Sequence, residues 1–202
     1  MKKISIFLLC FTFIALAFFP LKNADAFTAS ESEIVMERDS GRILFAKDEK
    51  KRLPMASTTK IVTAITVIDN YDLSTVIEVP KETVGVEGSS VYLKAGEKYT
   101  VRDLLFGLML RSGNDCAETL AVRLAGGISE FTAEMKKTAE KCGATDSSFK
   151  NPHGLHDDEH YTTALDLGKI ACYAMKNEEF VKIVSTEIYT ATEISSGEKR
   201  VW

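Results

Sequence analysis

Pro54-Met55-Ala56-Ser57-Thr58-Thr59-Lys60, followed by the apolar run Ile61-Val62-Thr63-Ala64-Ile65-Thr66-Val67-Ile68, is the stretch that decides the fold of this chain. A helix is expected to begin near Ser57, with Ile61, Ala64, Ile65 and Ile68 on one face. Its Thr, Val and Ile content is poor for an isolated helix, so tertiary packing must hold it. Positions i and i+3 share a helix face, which sets the Lys60 amine beside the Ser57 hydroxyl. A serine hydroxyl is a weak nucleophile, and a lysine kept neutral by burial can take its proton. In the first helical turn, backbone N–H groups and the helix dipole favour negative charge developing there. The spacing alone is unspecific, since about one S-x-x-K arises by chance in a chain of this length. A second copy, Ser147-Ser148-Phe149-Lys150, runs into a turn and not into an apolar-faced helix, so context selects Ser57.

Further along, Ser112-Gly113-Asn114 falls at a break between two expected helices. A serine there can relay a proton, and an asparagine amide can hold a carbonyl or amide of a substrate. Taken alone, it reads equally as a helix connector with a capping residue. The first of the two helices opens at Thr100-x-x-Asp103, and the second runs from about Asn114 to Leu124 and stops at Gly126-Gly127. Ser129 is expected to cap a fourth helix ending at Cys142-Gly143. Residues 144–161 read as a loop, Thr163-x-x-Asp166 opens a helix from Leu165 to Met175, and Glu178 to Val184 forms a short one. At the other end, residues 33–47 read as a hairpin centred on Asp39-Ser40-Gly41, and residues 187–202 carry strand-like stretches. The fold class is mixed α/β (α+β).

The 202 residues carry 25 Lys and Arg against 29 Asp and Glu, a net charge of -4, with 45% hydrophobic residues and 12 glycines. That is ordinary globular composition, unlike a disordered, collagenous or multi-span membrane chain. The acidic balance argues against nucleic acid as a partner. Residues 1–26 read as a signal peptide: Lys2 and Lys3, an apolar run from Ile4 to Phe19, then Ala24-Asp25-Ala26. Export is therefore expected, with 27–202 as the mature chain. Cys116, Cys142 and Cys172 are too few for a disulfide framework and have no C-x-x-C spacing, so they are expected to fill small apolar sites.

The two motifs belong to a set of three, S-x-x-K, S-D-N and K-T-G, shared by β-lactamases and penicillin-binding proteins. Over most of residues 33–202 the sequence resembles the low-molecular-mass penicillin-binding proteins that are serine-type D-alanyl-D-alanine carboxypeptidases. The resemblance rests on five blocks in family order. They are Pro54 to Lys60, Glu87-Gly88-Ser89-Ser90, the run from Leu104 through Ser112-Gly113-Asn114-Asp115, Asn151-Pro152-His153-Gly154-Leu155, and Thr163-Ala164-Leu165-Asp166-Leu167. It implies a serine β-lactamase/transpeptidase-like fold, with the N-terminal hairpin set beside a helical subdomain. Ser57 would be the acylated nucleophile and Lys60 its proton acceptor, with the Ser57 N–H as one oxyanion donor. Ser112 would relay protons to the leaving D-alanine, Asn114 would bind substrate, and His153 would support substrate binding at the cleft edge. The implied substrate is the peptidoglycan pentapeptide stem, with β-lactams as covalent inhibitors and no cofactor.

The sequence departs from the pattern in one place. No lysine after Ser112 is followed by Thr-Gly or Ser-Gly. On this ground residues 27–202 are expected to form an incomplete catalytic domain, truncated before K-T-G, with the remaining sheet strands missing and weak or no carboxypeptidase activity. The membrane anchor and C-terminal β-rich domain common in the family are not visible. Three other readings are separable. A β-lactamase would need a deacylating glutamate, commonly in E-x-x-L-N, and no such string follows Ser112. A metal centre at His153, His156 and His160 would need a ligand spacing such as H-E-x-x-H, and a polar turn after Pro152 accounts for these residues, so no metal is expected. The third is a non-catalytic peptidoglycan-binding fragment that keeps Ser57 without turnover.

Overall fold

The computed structural model describes residues 30–202, so the expected signal peptide lies outside the described residues. Strands β1 (Glu33–Met36) and β2 (Ile43–Lys47) form the expected antiparallel hairpin, with Val35 opposite Phe45. Backbone N–H groups of Asp39 and Ser40 donate to the Glu37 carboxylate and close its turn. One side of the hairpin rests on helix α5 (Ala164–Ala174), close enough that a Cβ at Gly168 would stand 2.7 Å from Met36 Sδ. Val35, Ile43, Leu44 and Phe45 stay exposed.

A 3-10 turn, Ala56–Thr58, leads into helix α1 (Thr59–Asn70). This helix is not amphipathic with one apolar face, as its sequence suggested. Val62, Thr63, Ala64, Ile65, Thr66 and Val67 are all fully buried, because helices pack around it on several sides. That burial stabilises a segment of weak helix propensity, at roughly 1.5–3 kcal/mol for each buried Val or Ile. The surrounding helices are α2 (Val101–Arg111), α3 (Asn114–Ala125), α4 (Ile128–Lys141), α5 and α6 (Glu178–Val184). Leu104, Leu105, Leu120, Phe131, Met135 and Ile170 complete the core around α1.

The helix ends follow local chemistry. Thr100 and Asp103 form a reciprocal capping box, each side chain accepting the other's backbone N–H at 3.0 Å. Thr163 and Asn177 cap α5 and α6. Gly126, at φ 89°, ends α3 in the left-handed conformation. Ser129 does not cap α4. The cap is Gly127, in extended backbone, and Ser129 is the second residue of the helix. The sharp turn at Gly126 lets the new helix start at once, and an added Cβ at Gly127 would collide with the Glu130 carboxylate.

Beyond the hairpin, β3 (Val76–Glu78) pairs with β4 (Lys98–Thr100), and β5 (Thr190–Thr192) with β6 (Lys199–Val201). The β3–β4 pair was not foreseen. Among the described residues the strands form three separate two-stranded sheets, so the C-terminal strands do not extend the β1–β2 hairpin. They fold instead onto β4 and α2: Lys98 N–H donates to the Glu193 carboxylate at 2.8 Å, and Phe106 stacks on Tyr189. Trp202 is buried beside Tyr99. Among the described residues no helix is long and apolar enough to cross a membrane.

Candidate active site

The 3-10 turn and the first turn of α1 bring Ser57 and Lys60 together. Ser57 is exposed, whereas Lys60 is 3% exposed. The Lys60 ammonium meets three acceptors: Asn114 Oδ1 at 2.7 Å, the His153 carbonyl at 2.9 Å and Ser57 Oγ at 3.5 Å. The first two are strong bonds, and they occupy two of the nitrogen's positions. The third position faces the serine. Burial pushes the amine from 10.5 down to about 8. On deprotonation two N–H groups can keep Asn114 and His153, which leaves a lone pair for the Ser57 proton.

Asn114 begins α3. Its Nδ2 donates to the Glu87 carbonyl at 2.6 Å, and its own N–H donates to the Ser89 carbonyl at 2.7 Å. The loop at 87–93 is further held by Asp115, which is 1% exposed. Its carboxylate accepts from Ser90 Oγ at 2.6 Å, Leu93 N–H at 2.9 Å and Val91 N–H at 3.2 Å. An added Cβ at Gly88 would stand 2.8 Å from Asn114 Nδ2, so only glycine lets the loop approach this closely.

Ser112 caps the C-terminus of α2 in the left-handed conformation, φ 55° and ψ 34°. This backbone costs a non-glycine residue on the order of 1 kcal/mol. Its Oγ is buried and has no hydrogen-bond partner among the described residues, a polar atom held ready for one. A cavity of about 550 Å³ opens here, lined by Ser89, Tyr92, Arg111 and Ser112 among others.

His153 lies against Lys60. Its ring is 5% exposed, and both nitrogens are engaged within the protein. Nδ1 accepts from the Leu155 N–H, so Nε2–H donates to Glu118 Oε1 at 3.2 Å. Burial, with the charge of Lys60 second, holds the ring down at about 4, and burial raises the Glu118 carboxyl. The contact is thus a hydrogen bond from a neutral imidazole. What His153 offers the site is its main-chain carbonyl, which meets Lys60. The three histidines of the loop diverge, His156 to Asp158 on the surface and His160 to Thr59 in the interior. Among the described residues none of them joins a cluster able to hold a metal ion. The second S-x-x-K copy is structural: Ser147 Oγ bonds Thr162 and Asp166.

Sequence reasoning brought Ser57, Lys60, Ser112 and Asn114 forward, and three of these meet directly. It missed Glu118 and the contact of Thr59 with His160, since these contacts span 35 and 101 positions and leave no local pattern. Gly154 had a signal, its place in the Asn-Pro-His-Gly block. At φ 93° its Cα lies against the Ala56 carbonyl, where an added Cβ would overlap the oxygen.

Comparison with known proteins places the chain in a family. Residues 21–200 match the family model described as D-alanyl-D-alanine carboxypeptidase. The chain is 32% identical over 178 residues to D-alanyl-D-alanine carboxypeptidase DacF of Bacillus subtilis, covering 86% of this chain and 45% of that protein. It is 34% identical over 172 residues to a Streptomyces D-alanyl-D-alanine carboxypeptidase, covering 79% and 59%. The crystal structure of a D-alanyl-D-alanine carboxypeptidase from Mycobacterium tuberculosis superposes with a TM-score of 0.80 at 33% identity, over 86% of this chain and 65% of that one. A Streptomyces DD-transpeptidase variant gives 0.79 at 34% identity, over 86% and 72%. The chain spans about half the length of the curated relatives it matches. With the family model covering most of its length, this chain belongs to the D-alanyl-D-alanine carboxypeptidase family.

Proposed function

We propose that the site performs serine acyl transfer on peptides ending in D-Ala-D-Ala, the peptidoglycan stem, and that it acts outside the cytoplasmic membrane where such stems lie. The observation that carries this reading is the buried Lys60 amine, held by Asn114 and the His153 carbonyl and directed at Ser57 Oγ. With its pKa near 8, roughly one Lys60 in ten is neutral at pH 7.

Neutral Lys60 takes the Ser57 proton as Oγ bonds to the carbonyl carbon of the penultimate D-alanine. The Ser57 N–H supports the oxyanion. The C–N bond then breaks, and the leaving D-alanine amine receives the proton through Ser112, whose unpartnered hydroxyl can both accept and donate. Water hydrolyses the ester and restores Ser57. A β-lactam follows the same first step, but its leaving amine stays tethered, and the adduct persists.

Labelling with a fluorescent penicillin tests the reading, with D-alanine release from a D-Ala-D-Ala peptide followed in parallel. Label on the wild-type chain that disappears in Ser57→Ala supports it. Equal labelling of Ser57→Ala and wild type refutes the nucleophile assignment.

A further inference from the structure

Ser57 is presented by a strained turn. Ala56 precedes it at φ 46°, a left-handed conformation that a residue with a Cβ adopts at a cost of about 1 kcal/mol. Something must hold that turn, and the held group is the Ala56 carbonyl. Thr59 Oγ1 donates to it at 2.7 Å, and Gly154 presses on it from outside. The hydroxyl has one hydrogen, so its remaining partner must donate to it. That partner is His160 Nε2 at 2.8 Å, on a ring only 3% exposed.

The tautomer follows from the other ring nitrogen. His160 Nδ1 receives the Lys150 N–H at 3.0 Å, so it carries a lone pair and the ring proton sits on Nε2. One directional chain results: Lys150 N–H to His160, His160 to Thr59, Thr59 to the Ala56 carbonyl. The Ala56–Ser57 peptide is planar and trans, so fixing its carbonyl also fixes its N–H, which points the opposite way. That N–H belongs to Ser57. Donors on the carbonyl also polarise the amide and strengthen the N–H as a donor.

We propose that His160, acting through Thr59, is a positioning residue that aims the Ser57 N–H at the developing oxyanion. The proposal rests on the acyl-transfer reading of the site. His160 touches no substrate, and its effect is on the rate of bond formation rather than on binding. Asp157 is the charged side chain whose field reaches the ring, and its own loop returns the chain to His160, whose N–H donates to the Asp157 carbonyl.

The two nitrogens can be replaced separately. A glutamine amide imitates Nε2–H and can still donate to Thr59, whereas an asparagine amide reaches only as far as Nδ1. His160→Gln is therefore expected to keep the penicillin acylation rate constant within about threefold of wild type. His160→Asn and Thr59→Val are expected to lose tenfold or more, with the dissociation constant of the non-covalent complex unchanged and Thr59→Ser restoring the rate. Thermal unfolding of each variant identifies the temperature at which all are folded, and rates are compared there. Equal acylation by His160→Asn and wild type overturns the proposal and leaves the Ser57 reading standing. Nitrogen-15 NMR of the His160 ring gives a readout independent of activity: the Nε2–H tautomer is expected, and Nδ1–H overturns the proposal. Labelling that persists undiminished in Ser57→Ala defeats the acyl-transfer reading instead, whatever the tautomer.

Discussion

Lys60 Nζ stands 2.7 Å from Asn114 Oδ1, a bond between the first turn of α1 and the first residue of α3 across 54 positions of sequence. It makes one unit of two motifs that look independent in the chain. Replacing the neutral amide by a carboxylate tests the unit. In Asn114→Asp, a negative charge at this distance favours the ammonium form and raises the Lys60 pKa. Each unit of rise removes about nine-tenths of the neutral amine at pH 7. Acylation at pH 7 is expected to fall tenfold or more and to recover at higher pH, as read from a pH–rate profile of penicillin labelling.

The wild-type profile has its own expected form. Acylation should rise with pH and level off above about 8, where Lys60 is mostly neutral. Stability is linked to the same group. The folded-state pKa lies below the unfolded value, so between about 8 and 10.5 the unfolded chain binds the extra proton and stability increases with pH. Below pH 8 the cost of burying the charge is present in full, on the order of 3 kcal/mol for a shift of this size. Urea unfolding at pH 7 and pH 9.5, in wild type and Lys60→Met, separates this contribution: only wild type should gain the Lys60 increment.

What the sequence disclosed and what it hid divide by the range of the interactions. The capping box at Thr100 and Asp103, the glycine stop at 126 and the Thr163 cap are contacts within four residues, and each is visible as a spacing. Ser57 and Lys60 are legible for the same reason. The β3–β4 pair was invisible because each strand has three residues, too few for an alternation, and its partner lies about twenty positions away. Helix α1 looked amphipathic because Thr63 and Thr66 read as polar, yet both are buried, and Thr63 Oγ1 donates to the Pro152 carbonyl. His153 meets Lys60 through its main-chain carbonyl, an atom every residue has and no side-chain pattern reports.

Asp115 makes a further case of long-range support. Its carboxylate accepts from Ser90, Val91 and Leu93, and so holds the 87–93 loop against the start of α3. Asp115→Ala removes these three contacts and a fourth from the Cys116 N–H, and leaves buried N–H groups unpaired. A loss of about 2–4 kcal/mol is expected by the cost of orphaned donors. The loop also meets Asn114 through the Glu87 and Ser89 carbonyls, so hydrogen exchange at Val91 and Leu93 should accelerate together with a fall in acylation rate. Unchanged exchange at these two amides would show that the loop is held by something else.

Gly154 and Gly197 allow contact and backbone strain to be told apart. Both have positive φ, 93° and 74°. Around Gly197 there is open space within 4 Å, whereas a Cβ at Gly154 would overlap the Ala56 carbonyl and stand 2.9 Å from Thr59 Oγ1. Gly197→Ala therefore meets only the left-handed strain, about 1 kcal/mol, and should leave acylation intact. Gly154→Ala meets the same strain and must also push away the turn that carries Ser57, since a backbone carbonyl cannot swing aside as a flexible side chain can. Its stability is expected to fall by several kcal/mol, on the order of 3. Its acylation rate should fall more than tenfold even well below its unfolding midpoint, because the displaced group is the peptide whose other end is the Ser57 N–H. Thermal unfolding and penicillin labelling of the two variants side by side check this, and a Gly154→Ala chain that acylates like Gly197→Ala would show the turn to be held without the glycine.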